Sequence, residues 1–200
     1  MAGSSTAEAA FYFDLASPLA YLAAESILHL LPSPAEWQPV LARELGPASG
    51  SFALRCENEG AVLRENIERR ARALGLQPLL WPADFPFDSE RAMLVATYAK
   101  SIGRTVPFAQ AAFRQAFAGG RSLAEMDNVL VAAAACEMHP KAVLAGADLA
   151  SVRAELSRTT EQAVAAGVSD VPAVRIGARV FVGERAVEEA AAHTAGAPAR

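Results

Sequence analysis

From residue 10 the apolar positions change period several times, and each change marks an element. Residues 10–15, AFYFDL, are an aromatic run ending on a polar residue, the pattern of a short buried strand. Residues 18–31 start at a proline and carry apolar positions at helical spacing until Pro32-Ser33-Pro34 stops them. EWQPVLA at 36–42 predicts a second strand, with Pro39 pushing it to a sheet edge or a bulge. GPASGS at 46–51 predicts a loop.

Between about 52 and 166 the period becomes helical. An amphipathic helix is expected over 59–74, ending at Gly75, followed by the proline-rich connector LQPLLWPADFPFD at 76–88. Asp88 or Ser89 then caps a helix over 89–102 that ends at Gly103. Further helices are expected at 107–118, 122–138 and 148–166. After Gly167 the pattern turns to AVRI and RVFV flanking Gly177-Ala178, a hairpin pattern, and a closing helix begins near Glu184. The order β-α-β at the start and β-β-α at the end is that of an α/β, thioredoxin-like domain interrupted by a large all-helical insertion. The expected boundaries are 1–45 with 167–200 for the thioredoxin-like domain and 46–166 for the insertion.

Composition narrows the function classes. The chain has 200 residues, 52% hydrophobic and 20% charged, which suits a globular protein with a sizeable core. A net charge of −4 offers no basic footprint for nucleic acid, and Arg64, Arg69, Arg70 and Arg72 alternate with Glu65 and Glu68 as on a solvated helix face. No apolar run reaches the roughly 18 residues of a membrane span. Residues 1–9 lack the basic and apolar regions of a secretory signal, so the expected location is cytoplasmic. Cys56 and Cys136 are far apart, and His29, His139 and His193 are scattered, so no metal site is expected.

The candidate chemistry lies at two junctions. Ser17-Pro18 sits where the first strand becomes the first helix. Pro18 suits the first helical position, and Ser17 suits the N-cap. A helix amino end also stabilises an anion; a thiolate held there has a lowered pKa, and a serine hydroxyl adds a hydrogen bond. Ser17 therefore reads either as a plain cap or as an active-site residue. The second junction is DVPAV at 170–174, where Pro172 precedes a strand. It reads as an ordinary strand entry, or as the proline that thioredoxin-like folds set in cis beside the helix tip. In the second case the Val171 backbone would pair with an extended thiol peptide.

FYFDLASPLAYLAAE together with GVSDVPAVRIGARVFVGERAVEEA resembles the DsbA-like thioredoxin family. Within it, the chain is most similar to the branch of 2-hydroxychromene-2-carboxylate isomerases and kappa-class glutathione transferases. RRARALGLQPLLWPADFPFDSERAMLVATYAK resembles the same branch, and the resemblance runs over most of residues 10–190. Oxidoreductase members carry C-x-x-C at the first junction; here the stretch is Ser17-Pro18-Leu19-Ala20, so this site has neither an attacking thiolate nor a resolving sulfur.

The resemblance implies a catalytic Ser17 that holds the thiolate of glutathione, or of another low-molecular-weight thiol, and a backbone clamp at Val171 and Pro172. Where the branch carries an acid in G-x-D-R for the amino end of glutathione, this chain has Gly183-Glu184-Arg185-Ala186, which makes Glu184 the candidate. The implied activity is glutathione-dependent isomerisation of a small conjugated aromatic substrate by thiolate addition, bond rotation and elimination. Trp81, Phe85 and Phe87 are candidates for the substrate pocket, with Phe108 and Phe113 as further aromatics that equally suit a core. Arg114 and Arg121 are candidates for a substrate carboxylate, and a homodimer is compatible with the resemblance. Two alternatives stay open: a kappa-like transferase or peroxidase, and a non-catalytic thioredoxin-fold binding protein without redox activity.

Overall fold

The first strand, β1 (Ala9–Phe13), is buried along its whole length because both of its faces are covered. In the computed structural model, which describes residues 8–46 and 57–196, it is an inner strand of a four-stranded sheet. Past Gly46, the expected loop at 46–51 lies outside the described residues, as do Cys56 and residues 197–200. The helix α1 (Pro18–Leu30) carries the chain over to β2 (Glu36–Pro39), which pairs parallel with β1. The chain returns to the sheet at β3 (Ala173–Ile176), antiparallel to β1, and β4 (Arg179–Val182) completes the hairpin. The order is β2-β1-β3-β4. β2 is thus an edge strand, the position where a ladder tolerates Pro39.

Strand alternation assigns the side chains to two faces. Phe11, Phe13, Trp37, Val174 and Ile176 join the main core with α1 and with α8 (Ala186–Gly196). Trp37 meets Phe11 and Phe13 edge-on, with ring centroids 4.9 and 5.7 Å apart. Ala10, Tyr12 and Ala173 face the other way, into a smaller core with Val40, Val168 and Val171.

Between β2 and β3 the described residues form a 3-10 turn (Ala42–Glu44) and six helices: α2 (Glu57–Ala73), α3 (Glu90–Ser101), α4 (Thr105–Phe117), α5 (Met126–Ala134), α6 (Pro140–Ala147) and α7 (Ala150–Ala165). α4 packs on α1, α3 on β2, and α7 reaches β2 from the second face. Phe13 touches Phe113 of α4, so sheet and helices share one core.

Two expected helices differ in detail. The run at 122–138 starts only at Met126 and breaks after Ala134 into a turn, where Glu137 takes a left-handed φ of 60°. The stretch before 148 contains α6, which the periodicity did not indicate. Its start was nonetheless written locally: Pro140 sits at the first helical position and His139 caps it, its Nδ1 accepting from the Lys141 N–H at 3.2 Å.

Candidate functional site

Ser17 ends a tight turn that leaves β1. Its backbone N–H donates to the Asp14 carbonyl at 3.0 Å, and its own carbonyl accepts from the Tyr21 N–H at 3.1 Å, opening α1. The side chain caps the helix, Oγ accepting from the Ala20 N–H at 3.1 Å, with Pro18 in the first turn. The cap expectation therefore holds.

The second junction arrives at the same place. Ser17 Oγ lies 3.5 Å from the carbonyl oxygen of Val171, 154 residues away, and the Val171–Pro172 peptide is cis. At 3.5 Å the hydroxyl donates only weakly to that carbonyl. Pro172 is held from behind, its carbonyl accepting from the Gly183 N–H at 2.8 Å. The Val171 N–H donates to the Asp170 carboxylate at 2.8 Å, so of the expected backbone clamp the carbonyl faces Ser17 while the N–H is engaged by a neighbour.

Asp14 is the residue that pattern reasoning missed. It is 4% exposed, and its carboxylate accepts from the Ala16 N–H and the Ala42 N–H, both at 2.9 Å. It thereby ties the turn before Ser17 to the segment after β2. Burial pushes its carboxyl above the ordinary value of 3.8, against the pull of those amides, the Ser89 hydroxyl and Arg43. The available sign was an acid closing an aromatic strand three residues before a helix cap.

Glu184 stands exposed at the turn before α8 and pairs with Arg70 of α2 at 3.0 Å; Arg70 also holds Glu188. These pairs join α2 to the turn before α8 and to α8 itself. Phe85 and Phe87 are buried in an aromatic cluster around Phe117, while Trp81 is half-buried at its edge. The cluster is linked to the helix tip through Tyr21, one turn on from Ser17, whose ring stacks on Phe117 at 5.8 Å. The indole N–H of Trp81 donates to Glu68 at 2.8 Å, and the Arg64 guanidinium lies over its ring at 4.9 Å.

Phe108 and Phe113 are fully buried core residues. Arg114 is committed to a two-pronged pair with Glu25 of α1, at 2.6 and 2.7 Å, which accounts for its charge without a substrate. Arg121 is exposed. Cys136 is buried, and burial raises its thiol. Among the described residues no helix is long and apolar enough to cross a membrane, and no cluster of His, Cys, Asp and Glu is placed to hold a metal ion.

A helix tip, a facing cis-proline loop and a four-stranded β2-β1-β3-β4 sheet define a thioredoxin-like protein with a hydroxyl in place of the sulfur. The chain belongs to the DsbA-like thioredoxin family, whose domain matches residues 9–195. Among solved structures it is similar to a 2-hydroxychromene-2-carboxylate isomerase, with a TM-score of 0.80 at 16% identity over 94% of each chain. It is also similar to a probable DsbA oxidoreductase from Streptomyces coelicolor, with a TM-score of 0.74 at 17% identity over 97% of this chain and 92% of that one. A cytosolic disulfide reductase, DsbM, from Pseudomonas aeruginosa, solved with GSH, aligns with a TM-score of 0.64 at 15% identity over 94% and 97% of the two chains. Identities this low establish a shared fold. No curated protein matches the sequence at a significant level.

Proposed function

We propose that the protein binds a low-molecular-weight thiol, glutathione first among them, at the Ser17–Val171–Pro172 corner and isomerises a small conjugated aromatic substrate with it. One observation carries the reading: the Ser17 hydroxyl faces the Val171 carbonyl at 3.5 Å beside Pro172, and neither residue 17 nor residue 20 bears a sulfur. The fold relative that is an isomerase supports the reaction class, and the relative solved with GSH supports the thiol.

The residues fit such a group. The Ser17 hydroxyl hydrogen is barely spent on Val171 and is available to a sulfur anion, while Oγ keeps its bond to Ala20. The amides of the first turn of α1 add partial positive charge at the same point. The Val171 carbonyl can accept an N–H from an extended thiol peptide. Glu184, already oriented by Arg70, is the acid nearest in role to one that takes the peptide's amino end. Trp81, Phe85 and Phe87 form the aromatic side against which a flat substrate would rest. Bound at this corner, the thiol supplies a sulfur nucleophile that adds to an electron-poor conjugated carbon and later departs unchanged.

The test follows the ultraviolet spectrum of 2-hydroxychromene-2-carboxylate. Conversion is expected only when protein and glutathione are both present, and it should be lost in Ser17→Ala. Equal rates with and without protein would refute the proposal. The engagement of the Val171 N–H by Asp170 favours a second reading, a non-catalytic binding protein. In that case calorimetry need register no heat with glutathione.

A further inference from the structure

The second face of the sheet holds a polar cleft that the thiol corner does not use. Tyr12, Gln38 and Arg175 stand on β1, β2 and β3 on the side away from Phe11 and Phe13, as the register requires: Tyr12 pairs with Gln38 and with Ala173, two residues before Arg175. α7 covers this face only in part. Between it and the strands lies an open cleft of about 350 Å³, lined also by Thr159, Gln162 and Gly177 of the hairpin turn.

The lining includes one cation, Arg175, whose hydrogen-bond partners are neutral. Arg175 Nε donates to the Tyr12 hydroxyl at 3.2 Å and Nη1 donates to the Gly177 carbonyl at 2.9 Å. Those two bonds fix the plane of the guanidinium. Among the described residues, Nη2 makes no hydrogen bond within the protein, and no carboxylate lies within salt-bridge distance of Arg175. Arg70, another half-buried arginine, holds two carboxylates. A planar fork, oriented by neutral partners and half-sheltered from water, is suited to receive an anion.

The rest of the lining states what else the anion carries. The Gln162 amide can donate and accept, and the Thr159 hydroxyl, whose hydrogen leans toward Glu155 at 3.5 Å, can still accept, which suits hydroxyl groups on a ligand. Lys100, the nearby second cation, is already engaged by Glu36 at 3.1 Å and by Gln38. One uncommitted cation matches a singly charged carboxylate better than a phosphate dianion. The volume lies at the small end of ligand clefts, about 300–1,000 Å³.

We propose that this cleft is a second ligand site, for a small hydroxylated monocarboxylic acid whose carboxylate sits on Arg175. The site is independent of the thiol corner and shares no residue with it. The experiment is a titration of the isotope-labelled full chain with gluconate, followed through the backbone amide signals of Tyr12, Arg175 and Gly177. Saturable shifts are expected with gluconate, weaker ones with propionate, which lacks hydroxyls, and none with glucitol, which lacks the carboxylate. Arg175→Met should weaken gluconate binding at least about tenfold, the loss expected for a charge-assisted pair. Gln162→Ala, on the exposed side of α7, keeps the fold and should weaken it about threefold. No saturation with gluconate, an equal or stronger response to inorganic phosphate, or affinities unchanged in both variants would overturn the proposal.

Discussion

On one face of the sheet Phe11, Phe13 and Trp37 are sealed beneath α1 and α4, while on the other Tyr12, Gln38 and Arg175 meet α7 across open space. The same three strands supply both faces. The first face is a closed aromatic core in which, among the described residues, even the Trp37 indole N–H has no hydrogen-bond partner. The second combines a small apolar core with hydrogen-bonded polar side chains. The contrast shows that being buried on both sides does not make a strand equivalent on both sides: one face supplies stability, and the other keeps donors and a charge at the edge of water.

Substitutions at four positions break or sharpen that contrast. Phe13→Ala should have the largest effect, because it opens a cavity among Phe11, Trp37 and Phe113; about 3–5 kcal/mol should be lost in denaturant titration. Asp14→Ala comes next. It leaves two amides without their acceptor at the point where β1 turns toward Ser17, and should cost about 2–4 kcal/mol in the same assay.

Asp14 also predicts a pH dependence. Its folded-state carboxyl lies above the ordinary 3.8, so the folded chain binds more protons than the unfolded one across the interval between the two values. Its contribution is fully present below 3.8 and is lost as the pH rises through the folded-state value. The stability of the wild type relative to Asp14→Asn should therefore fall with rising pH in that interval; a difference that rises instead would contradict the burial argument.

Ser17→Ala should cost about 1 kcal/mol as a lost cap, measured by thermal unfolding, yet remove most thiol-dependent turnover. Tyr12→Phe, on the polar face, should be the mildest of the four. It removes one acceptor from a guanidinium that can still reach water, and should change stability by about 0.5–1 kcal/mol while loosening Arg175 in nuclear magnetic relaxation.

Much of the fold was legible because its markers are local. The aromatic run of β1, Pro18 at the head of α1, Gly177-Ala178 between two four-residue strands, and the edge placement of Pro39 each follow from rules acting within a few residues. The break at Glu137 and the start of α6 were less legible. Ala-rich sequence around 131–135 carries the helical period straight past the turn, and only His139-Pro140 marked the restart. At the candidate site, the cap role of Ser17 was readable from two adjacent residues. The role of Asp14 was not, because its partners include Ala42, on the far side of β2, and Ser89, at the head of α3.

By itself the sequence determined the elements, their order and the absence of sulfur at residues 17 and 20, since backbone propensity and side-chain chemistry travel with each residue. Only the tertiary structure decided that Val171 comes to rest against Ser17, that Arg114 is spent on Glu25, and that Arg175 has only neutral partners among the described residues. Those outcomes depend on where a chain returns after more than 80 or 150 residues, and that is set by how apolar faces fit against one another rather than by any neighbouring residue.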